Sequence, residues 1–264
     1  MFYKVRILGC GSSGGVPRVG FGWGKCDPNN KKNRRLRCSL LVERIIDTKK
    51  TTVLIDTGPD VREQLLQANV PNLDAVIYTH SHADHVHGID DLRTLAYKKK
   101  AKIPVWADEI TQRRLLHGFS YIFNTPNKSK YPPICELNLI SSEDIIIHGA
   151  GDKINFRPLL VNHGDINSLG FKIGKLAYIP DVLEIPLTSW RELENLDILI
   201  IDALRRDPHP THTHLEKTLR WIRKLEPRRA VLTNLHNDLD YSELKKELPK
   251  NVEPAFDGLE INIK

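Results

Sequence analysis

The chain has 264 residues, with 39 Lys and Arg against 33 Asp and Glu, which gives a formal net charge of +6 at pH 7. Hydrophobic residues make up 40% and charged residues 27%, and apolar runs recur along the whole chain, which excludes disorder as the dominant state. These runs are far shorter than the ~20 residues of a membrane-spanning helix, so we expect no membrane partner. The first residues are charged where a signal peptide is apolar, which favours a cytoplasmic protein.

Four cysteines lie far apart in the chain, and no two of them form a Cys-x-x-Cys pair: Cys10, Cys26, Cys38 and Cys135. This distribution gives neither a disulfide framework nor a self-sufficient zinc site. It favours reduced thiols with a structural role.

The first predicted strand, at Val5–Leu8, leads into a glycine-rich loop. Gly9–Gly14 matches the G-x-G-x-x-G pattern of dinucleotide-binding proteins, which requires a helix to open at the last glycine. The following Gly15–Gly22 contains Pro17 and further glycines, and it cannot form a regular helix. We therefore predict a loop whose glycines let another group approach the backbone closely.

Further strands and two helices follow in chain order. Short apolar segments rich in β-branched residues predict strands at Ser39–Val42, Thr52–Ile55, Ala75–Thr79, Ile103–Trp106, Ile145–Ile147, Leu176–Ile179, Ile198–Ile201 and Ala230–Leu232. Helical periodicity predicts helices at Pro59–Ala68 and Thr213–Leu225. Several strands are apolar on both faces, which is typical of a sheet covered by helices. The sequence predicts an α/β fold in a single domain over residues 1–264.

The residues after the strand Ala75–Thr79 carry the strongest chemical signal. Four of the 11 histidines lie between positions 80 and 87, interleaved with Asp84. Imidazole and carboxylate groups at adjacent and alternating positions form a compact set of metal donors, suited to zinc, manganese or iron. One short loop cannot complete two coordination shells, so further donors must come from elsewhere. Three candidates follow other predicted strands: His163, Asp181 and His236.

The T-H-x-H-x-D-H motif at Thr79–His85 resembles the signature of the metallo-β-lactamase superfamily. Other segments resemble the PhnP-type branch of cyclic-phosphate phosphodiesterases, which is related to tRNase Z: 9–18, 33–39, 56–60, 88–93, 210–212 and 254–258. The resemblance spans almost the entire chain. It implies a four-layer αβ/βα sandwich, in which two mixed β-sheets are flanked by helices.

The same resemblance implies the roles of the donor residues. One metal ion would be bound by His80, His82 and His163. A second would be bound by Asp84, His85 and a C-terminal histidine, with Asp181 bridging the two. Asp56 would orient metal ligands rather than bind metal. We therefore expect two divalent ions per chain, zinc or manganese.

These residues support hydrolysis by a metal-bridging hydroxide, because a bound divalent metal lowers the pKa of water towards ~7. Asp84 is the predicted catalytic metal ligand, and His212 matches the histidine that assists the leaving group in the resembled branch. A histidine titrates in the range needed to protonate a departing alkoxide. His209 and His214 are nearby competitors for this role.

Two positions depart from the resembled pattern. The branch often carries a C-x-C-x-x-C motif for a structural zinc, but only Cys26 stands there, so we expect no structural zinc. Relatives end the metal site with Leu-Thr-His, whereas this chain has Asn234 at the histidine position and His236 two residues later. We predict that His236 completes the second site, because residues two apart in an extended chain point to the same side. The alternative is an amide oxygen from Asn234.

The predicted function is a phosphodiesterase acting on a small cyclic or nucleotide-like phosphodiester. Arg18, Arg35 and Arg93 are predicted to contact its phosphate, although the Lys31–Arg37 run is also typical of a charged surface loop. Alternatives are a tRNA 3′-processing endonuclease, for which no flexible arm is evident, and a glyoxalase-II-like thioesterase or lactonase. A nucleic-acid-binding module with a vestigial metal site fits the pI of about 9.1 but lacks stacking aromatics. RNA remains a lesser candidate partner, and relatives suggest a homodimer.

Overall fold

The computed structural model describes residues 2–125 and 130–263. They form two compact units. Unit 1 contains Met1–Leu8, Ser39–Asn155 and Glu260–Lys264, and unit 2 contains Gly9–Cys38 and Phe156–Leu259. The single domain over 1–264 stays a prediction. No helix in the described part of the chain is long and apolar enough to cross a membrane.

Unit 1 is built on a mixed sheet with strands in the order β14-β1-β2-β3-β4-β5-β6. Pairing is antiparallel for β14 with β1 and for β2 with β3, and parallel from β3 to β6. The strands are β1 (Phe2–Gly9), β2 (Ser39–Ile46), β3 (Lys49–Ile55), β4 (Ala75–Ile77), β5 (Ile103–Ala107), β6 (Cys135–Leu139) and β14 (Glu260–Ile263), with β7 (Ile145–Ile147) also in this unit. The helices are α1 (Val61–Gln67), α2 (Ala83–Val86), α3 (Arg93–Lys99) and α4 (Glu109–Phe123).

Unit 2 carries the second mixed sheet, in which its strands follow the order β13-β12-β11-β10-β9-β8. Pairing is parallel from β13 to β10 and antiparallel from β10 to β8. The strands are β8 (Ile154–His163), β9 (Ile166–Ile173), β10 (Leu176–Ile179), β11 (Ile198–Asp202), β12 (Arg229–Thr233) and β13 (Val252–Pro254). The helices are α5 (Leu187–Glu192), α6 (Leu215–Leu225) and α7 (Tyr241–Glu247).

Each unit has its own hydrophobic core between helices and sheet. In unit 1, Leu65 of α1 and Leu115 of α4 pack with strand residues such as Val76. In unit 2, Ile222 of α6 packs with strand residues such as Ile201. The predicted fold class, two mixed sheets flanked by helices, is confirmed. Every predicted strand and both predicted helices are present, although β4 ends at Ile77, and the polar residues after it form a loop.

The glycine-rich loop is tied to the end of unit 2 by Asp257. The two oxygens of this carboxyl group accept backbone N–H groups, Cys10 N at 3.0 Å and Leu36 N at 2.7 Å. Desolvation raises the pKa of Asp257 from its ordinary 3.8 to about 7, against the lowering effect of the N–H donors. The loop is therefore anchored by an acid that gains a proton within the accessible pH range.

Asp257 is expected to make unfolding depend on pH. Because its pKa is higher in the folded chain, the folded state holds the extra proton between about pH 4 and pH 7. The stabilisation is complete at the acid end and falls as pH rises, by up to about 1.4 kcal/mol per unit. Urea unfolding of chelator-treated wild type and Asp257→Asn should therefore show the wild type losing its relative advantage as the pH rises from about 4 to about 7. A constant difference between the two proteins would contradict this.

Candidate metal centre

The predicted metal loop lies in unit 1, directly after β4. His80 and His85 are buried, whereas His82 is exposed. The ring of His80 lies 4.6 Å from that of His82 and 4.3 Å from that of His85, measured between centroids. The turn α2 begins after His82 and places Asp84 Oδ2 3.4 Å from His85 Nε2. The structure therefore gathers these four residues, named here the loop donors, into one cluster.

Asp56 and Thr79 orient two histidines of the loop donors by contacts with their Nδ1 atoms. Asp56 follows β3 and accepts hydrogen bonds from His85 Nδ1 and Thr79 Oγ1, both at 2.8 Å. The Thr79 hydroxyl in turn lies 3.0 Å from His80 Nδ1. Since the Nδ1 atoms of both histidines face these oxygens, Nε2 is left as the nitrogen with the lone pair in each ring. Asp56 lies where the sequence analysis expected a ligand-orienting carboxylate.

The Asp56 carboxylate is fully buried, and this burial raises its pKa. Contact with His85 and hydrogen bonds from Thr79 act in the opposite direction. The backbone at Asp56 is left-handed, with φ of 65°, a conformation that Asp and Asn tolerate better than most residues. The sequence thus places in this turn an acid that can adopt the required conformation and orient a neighbouring imidazole.

Asp56→Asn is expected to weaken metal binding by about 10- to 100-fold, because the His85 Nδ1–H loses its carboxylate acceptor. Asparagine retains the left-handed backbone, so the turn itself should persist. Competition with a chromogenic chelator measures the affinity. Asp91→Asn, an exposed position nearby, is the control and should leave the affinity unchanged. Equal metal affinities for wild type and Asp56→Asn would show that the carboxylate has no orienting role.

Unit 2 holds a second donor cluster at the ends of its strands. His163 ends β8, Asp181 follows β10, and His212 precedes α6. One ligand atom from each of the three lies within 4.8 Å of the others. His163 and Asp181 are buried, and His212 is half-buried. These three residues are named here the strand-end donors.

The loop before α6 fixes the tautomer of His163. His163 Nδ1 donates to the carbonyl oxygen of Thr211 at 2.7 Å, so the lone pair of this ring lies on Nε2. Gly164 lets the loop approach, since a Cβ at that position would lie 2.6 Å from Thr211 Cγ2. The His163 and His212 rings are then 4.5 Å apart, in an edge-to-face arrangement.

His212 is held by a carboxylate that the sequence analysis did not select. Asp202, the last residue of β11, accepts from His212 Nδ1 at 2.8 Å and from the Val182 backbone N–H at 3.1 Å. Burial raises the pKa of Asp202 to about 7, and the neighbouring His212 opposes this rise. The sequence does carry one signal for Asp202, because this acid ends an otherwise apolar strand. A carboxylate in such surroundings usually has a hydrogen-bond or ion-pair partner. The pair directs His212 Nε2 away from Asp202.

The two competitors of His212 have different surroundings. His209 lies 5.2 Å from the His212 ring, and its Nδ1 faces the Thr211 backbone N–H at 3.3 Å. Burial, together with the positive charge of neighbours such as His212, lowers the pKa of His209 to about 4. His214 is the residue before α6, and its pKa is also lowered by burial. Among the three, His212 alone has a described hydrogen bond to a carboxylate, and it alone belongs to the strand-end donors.

Asn234 and His236 have different neighbours in unit 2. Asn234 Nδ2 donates to Pro180 O at 2.9 Å and lies 3.3 Å from Asp181 Oδ1, so its amide group borders the strand-end donors. His236 Nε2 faces Arg18 Nη1, and its Nδ1 lies 3.3 Å from Asp238. Because arginine only donates, the lone pair on Nε2 is directed to Arg18. The metal-ligand role of His236 stays a prediction, and these contacts favour a role in holding Arg18.

The remaining predicted phosphate contacts, Arg35 and Arg93, are both engaged within the protein. Arg35 is 1% exposed and donates to the carbonyl oxygens of His236 at 3.0 Å and Leu239 at 2.6 Å. Arg93 of unit 1 forms an ion pair with Asp90. These contacts give Arg35 a structural role inside unit 2, so the Lys31–Arg37 segment is not simply a charged surface loop. Both phosphate contacts stay predictions.

The side chains in both units fit a divalent metal. In three of the histidines, Nδ1 is hydrogen-bonded to an oxygen, which leaves Nε2 as the nitrogen that can coordinate a metal: His80, His85 and His163. Asp84 adds a carboxylate oxygen to the donors of unit 1, and Asp181 adds one to the donors of unit 2. Nitrogen and oxygen donors of this kind suit zinc or manganese.

Comparison with known proteins identifies the family. Residues 51–234 match the model of the beta-lactamase superfamily domain. A solved structure described as a new diphosphatase from the PhnP family is 36% identical, covers 100% of this chain and 98% of its own, and superposes with a TM-score of 0.89. The chain belongs to the PhnP family of the beta-lactamase superfamily. The resemblance found in the sequence is confirmed.

Two solved structures of lower identity share the fold. Zn²⁺-bound PqqB from Methylobacterium extorquens is 18% identical, with a TM-score of 0.72 over 98% of this chain and 99% of its own. Human tRNase Z, short form, is 17% identical, with a TM-score of 0.65 over 99% of both chains. At these identities the likeness of the PhnP-family chain to both proteins concerns the fold alone.

A curated relative from Porphyromonas gingivalis (strain ATCC BAA-308 / W83) is named octanoyltransferase. It is 34% identical over 259 residues, which is 97% of this chain but 51% of the relative. The PhnP-family chain therefore spans about half the length of this relative. The name octanoyltransferase applies to the whole relative, which is about twice as long as this chain. It does not say which activity belongs to the half that this chain matches.

Proposed function

We propose that this chain is a metal-dependent hydrolase that cleaves a P–O bond in a small cyclic or nucleotide-like phosphodiester. The observation that carries the proposal is the Asp202–His212 pair beside His163 and Asp181. An imidazole whose Nδ1 is held by a carboxylate, beside residues that could bind metal, supports a proton-donor role for His212, and cleavage of a phosphodiester with a poor leaving group requires such a donor. The PhnP-family neighbour is a diphosphatase, which supports hydrolysis of a P–O bond.

The proposed metal ligands come from both donor sets. His80, His82 and His163 would hold one ion, and Asp84 and His85 a second, with Asp181 shared between them. Support comes from the T-H-x-H-x-D-H motif, the family match and the Nε2 tautomers of the histidines. His236, the predicted last ligand of the second ion, would have to release Arg18 first. When bound, two divalent ions supply an activated water and neutralise charge on the phosphoryl group.

The chain's own groups then position and move protons. Asp202 accepts a hydrogen bond from the Nδ1–H of His212. In a protonated His212, the proton available for transfer is therefore the one on Nε2. The leaving oxygen receives that proton as its bond to phosphorus breaks, and Asp202 stabilises the charged imidazole before transfer. The Thr211 carbonyl holds His163, and the same segment brings His212 beside it.

Hydrolysis of bis(p-nitrophenyl) phosphate by zinc- or manganese-loaded protein tests this proposal, with chelator-treated protein as the control. We expect metal-dependent release of p-nitrophenol and slow or absent hydrolysis of a thioester such as S-lactoylglutathione. Thioester hydrolysis without phosphodiester turnover would contradict the proposal and favour the thioesterase alternative. RNA cleavage without turnover of small phosphodiesters would favour the nuclease alternative.

A further inference from the structure

A small hairpin in unit 2 exposes two apolar side chains on one loop. Arg18 and Gly22 pair as an antiparallel bridge, with Arg18 N donating to Gly22 O at 2.9 Å and Gly22 N to Arg18 O at 2.8 Å. The tip between them carries Val19, 97% exposed, and Phe21, 79% exposed. Phe21 therefore does not contribute to the hydrophobic core. Its backbone is nevertheless held in the hairpin by the hydrogen bonds between Arg18 and Gly22.

The guanidinium of Arg18 is held in place beside this ring. It lies over Gly14, where a Cβ would come within 2.7 Å of Arg18 Nε. The glycine-rich loop predicted from the sequence thus gives this guanidinium room to lie against the backbone. Arg18 Nη1 contacts His236 Nε2, and Arg18 Cζ lies 5.9 Å from the centroid of the Phe21 ring. The result is a fixed cation beside an exposed aromatic ring.

The backbone of one short segment connects this pair to the strand-end donors. His236, which contacts Arg18, lies two residues after Asn234, whose amide group is 3.3 Å from Asp181. Arg18 is therefore linked, through the segment that contains His236 and Asn234, to Asp181 of the strand-end donors.

We propose that Arg18 and Phe21 form a subsite for the part of the substrate that does not react, a phosphate followed by an aromatic base. This inference rests on the proposed function and narrows its substrate to nucleotides. Guanidinium groups pair with phosphate oxygens, and an exposed aromatic ring stacks on a nucleobase.

The test compares two ligands that differ only by a base, AMP and ribose 5-phosphate. Their binding to metal-loaded protein is measured by calorimetry. Base stacking on an aromatic ring is expected to tighten AMP binding by about 10-fold relative to ribose 5-phosphate. Phe21→Ala should remove this difference and leave ribose 5-phosphate binding unchanged. Arg18→Ala should weaken both ligands, and Val19→Ala, at the same exposed tip, should change neither.

Equal affinities for AMP and ribose 5-phosphate in the wild type would overturn the proposal, as would failure of AMP to bind. A Val19→Ala variant that behaves like Phe21→Ala would also overturn it, and would favour a protein-docking role for the hairpin tip. The binding measurement needs no turnover. Loss of the proposed function would instead be seen as absence of metal-dependent phosphodiester hydrolysis, whichever ligand binds.

Discussion

Replacing Asp84 with alanine is expected to reduce phosphodiester hydrolysis by more than about 100-fold. Loss of a residue that only hydrogen-bonds to a metal ligand typically costs roughly 10- to 100-fold, and Asp84 is proposed to be a ligand itself. Asp84 supplies a carboxylate to the loop donors, with Oδ2 3.4 Å from His85 Nε2. Its loss should also lower the amount of metal retained after dialysis. Both quantities are measured on the same preparation, by bis(p-nitrophenyl) phosphate hydrolysis and by elemental analysis.

Asp91→Ala is the matched control for Asp84→Ala. Asp91 is an exposed acid a few residues further along, so removing it changes the net charge by the same amount without touching the loop donors. Its activity and metal content should equal those of the wild type. An Asp84→Ala protein that keeps full metal content and full activity would contradict the assignment of Asp84 as a catalytic metal ligand.

His212→Ala is expected to slow hydrolysis by about 100-fold or more when the leaving group is an alkoxide, because general-acid catalysis typically contributes 10²- to 10⁴-fold. The effect should be much smaller for bis(p-nitrophenyl) phosphate, since p-nitrophenolate departs without being protonated. The measurement is kcat for an alkyl nucleotide diester and for the p-nitrophenyl diester with both proteins. His214→Ala, two residues away, is the control and should affect neither substrate.

Asp202→Asn separates the orienting role from the proton donor itself. The variant keeps His212 but replaces the carboxylate that accepts from its Nδ1. It should show the same leaving-group dependence as His212→Ala, with a smaller loss of kcat. An equal loss on both substrates would mean that His212 binds metal or substrate rather than donating a proton.

The sequence predicted much of the fold because most of the framework strands are short and apolar, as Ile198–Ile201 shows. The clustering of the loop donors was also predictable, since all four lie within six consecutive positions of one motif. A ligand-orienting role was also predicted for Asp56, although its partner, His85, was not. In each case the residues concerned lie within or directly beside a recognisable strand or motif.

What the sequence did not reveal depends on contacts between distant segments. Asp202 and His212 are ten positions apart and meet because β11 ends where the loop before α6 returns. Arg35 resembles a surface residue in a charged run, yet its guanidinium is buried against backbone carbonyls more than 200 residues away. The spacing of Asn234 and His236 did not predict that His236 faces Arg18, because Asn234 has a left-handed backbone, with φ of 60°, that breaks the extended geometry.

The most direct test of the central proposal is a metal titration of the chelator-stripped protein. Hydrolysis of bis(p-nitrophenyl) phosphate is followed as zinc or manganese is added in fractions of one equivalent. The donor sets predict no activity without metal, a rise with added metal, and a break at about two equivalents per chain. Undiminished hydrolysis by the fully stripped protein, or no hydrolysis after two ions have bound, would contradict the proposal.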